Sequence, residues 1–274
     1  MTSPDSVIAT TDVDQLYALA RRLGFEAASL IEEGRSHAIQ NVDTKSDPTD
    51  VVTAMDRACE QLLRERLAEL RPDDGIHGEE HDEQDGTSGV RWIIDPIDGT
   101  VNYLYGLAGY AVSIGVEVDG TLEIGVVTQP TTGEQFHACR GRGAYCDERR
   151  LTASTPDSLG VALVATGFGY LPERRAAQGA VAAALLPQVR DLRRLGSASL
   201  DLCNVAAGRV DGYYEWGTHI WDWAAGVVIC REAGVDVRLP IHDEGLVVAA
   251  APTIADELNA AVRARVEPDW NVPA

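Results

Sequence analysis

Lysine is almost absent from this chain. Its 274 residues include one, Lys45, and every other basic side chain is arginine. Basic charge is scarce as a whole: 23 Lys and Arg stand against 43 Asp and Glu, a formal net charge of −20. A field of that sign repels nucleic acid and anionic membranes, so neither is an expected partner. It also repels a phosphorylated ligand unless cations neutralise the charge locally. No apolar run is long enough to span a bilayer. The opening residues, MTSPDSVIATTD, lack a basic flank followed by an apolar core, so they do not read as a secretory leader, and the cytoplasm is the expected compartment. Cys59, Cys139, Cys146, Cys203 and Cys230 are odd in number and lack metal-ligand spacing, and the sequence holds no Cys/His cluster. Buried free thiols in a reducing cytosol are therefore expected, and no zinc site. What remains is a chain that is 45% hydrophobic, enough for sizeable cores, and rich in carboxylates.

The stretch most suggestive of chemistry is WIIDPIDGTVNY, residues 92–103. Trp92, Ile93 and Ile94 read as a buried strand. Pro96 cannot donate to a sheet ladder, so the strand is expected to stop at Asp95-Pro96. Asp98-Gly99-Thr100 reads as a turn feeding a helix start. Two carboxylates would then stand at a strand end beside the free amides of Gly99 and Thr100. Carboxylates suit a hard cation and amides suit a phosphate, so the turn points to metal-assisted phosphate chemistry. Asp-Pro and Asp-Gly are also ordinary turn dipeptides, and taken alone the stretch reads more readily as a surface turn.

Along the chain, apolar spacing predicts a helix from Thr11 to about His37, capped by Asp12 and ended near Gly34. Residues 41–49 read as a mobile loop. A second helix is expected from about Asp50 to Leu70, ended by Pro72. Strands follow at 75–79, 90–95, 110–118, 122–128, 135–138 and 143–146, with Asp119-Gly120 as a hairpin turn. Beyond Pro156, strands at 161–165, 192–195, 210–216 and 246–251 alternate with helices at 172–186, 198–208, 221–234 and 254–266. This divides the chain into an N-terminal α+β half, residues 1–155, carrying most of the acidic candidates, and a C-terminal α/β half, residues 156–274.

Two further acidic segments stand out. Glu79-Glu80 follows a short strand in IHGEEH, where paired acids are ordinarily solvated. Asp222 opens WDWAAGVVICREAG, where an N-cap is the simplest reading, although a capping carboxylate can still offer an oxygen to a cation.

Taken together, GEE, WIIDPIDGTVNYLY, GSASLDLCNVAAGRVDGYYEWG and WDWAAGVVICREAG, in that order, resemble the inositol monophosphatase family, bacterial inositol-1-monophosphatases in particular. The resemblance runs from NVDTKSDPTDVVTAMD at 41–56 to the end. It implies a layered αβαβα sandwich, mixed α+β and α/β, of the inositol monophosphatase and fructose-1,6-bisphosphatase type, as a homodimer. It implies a lithium-sensitive hydrolase using two or three Mg²⁺, with water attacking a phosphorylated polyol, myo-inositol 1-phosphate, in line. Glu79, Asp95, Asp98 and Asp222 and the Ile97 carbonyl would be metal ligands. Gly99 and Thr100 would hold the phosphate, with Asp98 and Asp222 bordering the substrate. Asp56 would pair with the Thr100 hydroxyl to orient or deprotonate the water. Gly196, Ser197, Ala198 and Glu215 would line the alcohol side. Histidinol phosphate, fructose 1,6-bisphosphate and a 3′-phosphonucleotide remain alternative substrates, and a non-catalytic binding role on the same fold is a further alternative. Val235, where the family usually has a small residue, departs from the pattern at a point of local packing. Trp216 and Trp223 either shape the pocket or fill the core.

By the same resemblance Lys45 lies on a loop beside the metals, where a compact ammonium differs from a planar guanidinium. Codon bias explains the scarcity of lysine but not the exception; chance retention of a surface lysine is the alternative. If the ammonium acts there, Lys45→Arg lowers turnover or alters metal dependence. Steady-state kinetics at varied Mg²⁺ that match the parent protein would refute this.

Overall fold

A computed structural model of the chain describes residues 5–38, 42–44, 51–240, 242 and 244–266. Two helices, α1 (Asp5–Ala38) and α2 (Ala54–Leu70), flank in sequence an antiparallel ribbon of β1 (Val42–Thr44) and β2 (Val51–Thr53). α1 begins before Asp12 and runs through Gly34, so neither ends the helix as expected. Gly24 and Gly34 lie where neighbours press in, with Thr128 and Met55 occupying the space a Cβ would need. α2 starts later than expected because Thr53 caps it. The Thr53 hydroxyl accepts from the Met55 amide (3.1 Å), and Asp56 accepts from the Thr53 amide (2.8 Å), a reciprocal cap. The expected 41–49 loop falls partly on β1, and the rest of it lies outside the described residues.

A seven-stranded sheet follows. It comprises β3 (Gly75–Gly78), β4 (Val90–Asp98), β5 (Ala111–Val118), β6 (Thr121–Thr128), β7 (Gln135–Cys139), β8 (Ala144–Cys146) and β9 (Arg149–Arg150), ordered as numbered. Only β3 and β4 pair in parallel. β4 does not stop at Pro96. It continues to Asp98 through a register shift between Asp95 and Asp98, an irregularity that accommodates a proline in a ladder. A short helix, α3 (Thr100–Tyr105), leaves its end.

The second sheet is β11 (Asp191–Arg193), β10 (Leu163–Thr166), β12 (Gly212–Glu215), β14 (Val247–Ala250) and β13 (Asp236–Arg238), in that spatial order. β13 carries no strong apolar pattern and was not expected from the sequence. Four helices accompany this sheet: α4 (Pro172–Leu185), α5 (Ala198–Ala206), α6 (Ile220–Glu232) and α7 (Ala255–Arg263).

Strand alternation sorts the cores. Val112, Ile114, Val116, Ile124 and Val126 pack under α1 and α2, whereas Ala111, Val127, Phe136 and Ala138 face inward. Tyr213, Val247 and Ala249 face the same inner core, and Tyr214, Val248 and Ala250 pack outward with α7. α5 and α6 fill the space between the sheets. α6 is apolar all round because both of its sides are covered. The layers are α1/α2, sheet, α5/α6, sheet, α4/α7: an αβαβα sandwich. Val235 is buried in the inner core, consistent with a packing role. Among the described residues no helix is long and apolar enough to cross a membrane.

α6 lies so close to the first sheet that a Cβ at Gly125 would strike the backbone carbonyl of Ala225. Gly125→Ala is therefore expected to destabilise the fold by about 1–3 kcal/mol, the usual cost of overpacking. Urea denaturation measures this; unchanged stability would show that the helix yields freely.

Candidate functional site

The end of β4 meets the starts of α3, α5 and α6. Asp95 Oδ1 accepts the Ile97 amide (2.9 Å), which folds the chain past Pro96. Gly99 has φ 95°, a left-handed conformation that side chains rarely adopt, and a Cβ there would lie 2.6 Å from the Gly109 carbonyl oxygen. Asp98 crosses to the first turn of α5. It accepts from Ser197 Oγ (2.6 Å), the Ala198 amide (3.2 Å), the Ser199 amide (2.7 Å) and the Ser199 hydroxyl. Asp222 is not the N-cap of α6; His219 is. Asp222 sits at the third helical position and accepts the His219 amide (2.6 Å).

These elements bring one carboxylate oxygen each from Asp95, Asp98 and Asp222 within 4.8 Å of one another. Glu79 lines the same cavity and is hydrogen-bonded to Asp95. The hydrogen bonds to Asp95, Asp98 and Asp222 described above come from amides and hydroxyls, and among the described residues no arginine pairs with these three. Burial first, then Glu79 and Asp98, hold the Asp95 carboxyl well above the usual range. Burial first, then Asp98 and Glu79, does the same to Asp222. Burial also raises Asp98, against the pull of Ser197 and Ser199. This is a cluster of hard oxygen donors whose mutual repulsion is not relieved by the protein itself.

Beside the cluster, Thr100 Oγ1 lies 3.0 Å from Asp56 Oδ1 and 3.1 Å from the Ile97 carbonyl oxygen, both acceptors. Burial pushes Asp56 up to about 6, opposed by its bonds from Thr53. Gly99, Thr100 and Ile97 line the cavity, whose volume is about 550 Å³. Gly196, Ser197, Ala198 and Glu215 also line it, and Tyr213 donates to Glu215 Oε2 (2.9 Å). Burial pushes Glu215 up to about 7. Lys45 lies outside the described residues. Trp216 and Trp223 pack in cores, and Trp221 lines the cavity instead.

The profile of the inositol monophosphatase family matches residues 12–267. The chain is 45% identical to the inositol-1-monophosphatase of Mycobacterium leprae, covering 96% of this chain and 97% of that one. The chain belongs to the inositol monophosphatase family. It is 39% identical to a Pasteurella multocida protein named Nus factor SuhB, over 88% of this chain and 92% of the other. The solved structure of Mycobacterium tuberculosis SuhB superposes with a TM-score of 0.80 at 42% identity, covering 92% of this chain and 96% of that one.

Within this inositol monophosphatase chain, sequence reading missed Thr53 and Ser199. Thr53 and Asp56 form the T-x-x-D pattern of a capping box, visible in the sequence but read there as the helix interior. Ser199 lies in the GSAS turn, yet only a folded chain shows that both serines serve Asp98. Arg174, Arg194 and Glu244 also line the cavity without a sequence signal.

Raised carboxyl pKa values make stability fall with pH. Between 3.8 and about 6 for Asp56, and 4.5 and about 7 for Glu215, the folded chain keeps protons that the unfolded chain has released. In chelator, melting temperature is expected to fall as pH rises from 5 to 7.5. Asp56→Asn and Glu215→Gln should each flatten that fall; parallel curves for parent and variants would contradict the assignment.

Proposed function

We propose that this chain is a cytoplasmic, Mg²⁺-dependent phosphomonoesterase acting on myo-inositol 1-phosphate. The observation that carries the reading is the convergence of Asp95, Asp98 and Asp222, with Glu79, in one buried cavity beside the Thr100–Asp56 pair. The donor set is all oxygen, which fits a hard divalent cation. Glu79, Asp95, the Ile97 carbonyl, Asp98 and Asp222 would hold two to three such ions. When bound, the ions supply a water of lowered pKa and screen the charge of the ester.

The chain's own groups do the rest. The Thr100 hydroxyl donates a hydrogen bond to Asp56 Oδ1, leaving its lone pairs free to accept from an attacking water, and Asp56, raised to about 6, suits the role of base near neutral pH. The first-turn amides at Gly99 and Thr100 lack helical acceptors and suit phosphoryl oxygens. Glu215, oriented by Tyr213, accepts from ring hydroxyls, and Gly196, Ser197 and Ala198 border the ring. The name of the Mycobacterium leprae relative supports the choice of substrate. A homodimer is supported by exposed apolar side chains near the site, Tyr105 (76% exposed), Leu107 (57%) and Leu195 (40%). Asn102 binds the carbonyls of Gly109 (2.6 Å) and Leu195 (2.7 Å) and so ties these segments together.

The test is a kcat/KM panel of inositol 1-phosphate, fructose 1,6-bisphosphate, histidinol phosphate and a 3′-phosphonucleotide, with and without chelator. Inositol 1-phosphate is expected to lead, chelator to abolish turnover, and Asp95→Asn to lower kcat by more than about a hundredfold while the fold survives. Activity that persists in excess chelator sinks the reading.

A further inference from the structure

Asp95 and Asp98 stand on a strand and Asp222 on a helix, but Glu79 lies in the irregular backbone after β3. Two anchors hold that backbone. The Glu79 amide donates to the Ile94 carbonyl (3.2 Å). The next amide, that of Glu80, donates to Glu60 Oε2 (2.7 Å). Glu60 is a fully buried carboxylate on α2, one helical turn beyond Asp56. Its Oε1 accepts from Arg64 Nε (2.7 Å) and lies 3.2 Å from His81 Nδ1. Arg64 Nη2 in turn donates to the carbonyls of His81 (3.3 Å) and Asp82 (3.0 Å). The loop rests directly on the carboxylate, since a Cβ at Gly78 would collide with it.

A buried charge is costly, and an apolar side chain would fill the same volume without that cost. The Glu60 contacts go to the loop and to Arg64, which clasps the same loop. We propose that Glu60 is a positioning residue for Glu79. By fixing the Glu79–Glu80 peptide it keeps the Glu79 carboxyl beside Asp95 and so sets the cation affinity of the cavity. The two buried acids of α2 then divide the work: Asp56 holds Thr100, and Glu60 holds the loop carrying Glu79. This inference rests on the metal-site reading of the acidic cluster.

The experiment is titration of Mn²⁺ onto the metal-free full chain, followed by calorimetry and electron paramagnetic resonance, for the parent protein, Glu60→Gln, Glu60→Asp and Glu79→Gln. Glu60→Gln keeps one acceptor but faces Arg64 with an amide; Glu60→Asp keeps the charge but is too short to reach the Glu80 amide. Both are expected to weaken Mn²⁺ binding about tenfold or more, the usual cost of losing a group that orients a ligand. The Mg²⁺ concentration giving half-maximal turnover should rise by the same factor, with KM at saturating Mg²⁺ unchanged. Parental Mn²⁺ affinity in a folded Glu60 variant overturns the proposal, whatever happens to its melting temperature. If Glu60→Gln does not fold, Glu60→Asp decides by the same criterion. Parental affinity in Glu79→Gln overturns the proposal too, but by removing Glu79 from the cation site; failure of the parent protein to bind Mn²⁺ removes the metal reading itself.

Discussion

Burial of like charges is the constraint around which this molecule is arranged. Asp95, Asp98 and Asp222 are brought together where water cannot screen them, and Glu79 adds a fourth carboxyl. The fold lessens the cost with oriented dipoles. The Ile97 amide serves Asp95, the His219 amide serves Asp222, and the first turn of α5 serves Asp98. Each of these bonds fixes a carboxylate without neutralising it. An arginine in their place would fill the site and cancel the charge that attracts a cation. Arg64 stands instead behind the site, on Glu60, where it rigidifies a support.

The need to bring amides to the end of β4 explains the central layer. α5 and α6 lie between the sheets and direct their first turns at the same strand end, so Ser197 to Ser199 and Asp222 arrive from sequence far beyond Asp98. That approach requires helix backbone almost in contact with strand backbone. Gly125 is the visible sign of it. A single sheet with helices on one side could present the strand-borne carboxylates but not the helix starts that hold them.

Legibility in the sequence followed the range of the interaction. The apolar run into Asp95, the Asp119-Gly120 hairpin and the helix carrying Asp222 are local signals, and all three elements are present. Where two local signals competed, the wrong one was read. Pro96 marks an irregularity inside β4 rather than its end, because β5 pairs with β4 both before the proline, at Asp95, and after it, at Asp98. Asp12 is an acceptable cap lying inside a helix, and Thr53 is the working cap of the next one. The Thr100–Asp56 bond spans 44 residues. No spacing rule reaches that far, and only the family resemblance pointed to it. Glu60 carried no signal at all, since an acid at a helical position reads as solvated until the loop that covers it is seen.

The two ends of the cavity are built by different parts of the chain, and this bears on how substrates are told apart. Under the proposed function, the carboxyl cluster, Thr100 and Asp56 would read only a phosphate and its incoming water, and so would suit any monoester. The second sheet and its loops line the rest of the cavity with Glu215, to which Tyr213 donates, and with the Arg174–Glu244 ion pair (2.6 Å). Under the proposed function, changes among these residues would alter the alcohol that fits; they join the acidic cluster through Ser197 and Asp98 and through Glu244, His219 and Asp222. Glu215 is held in a desolvated place with Tyr213 donating to its Oε2 (2.9 Å), and a substrate lacking a matching hydroxyl would leave Oε1 without a substrate donor. Under the proposed function, that penalty would favour a polyol in this cavity.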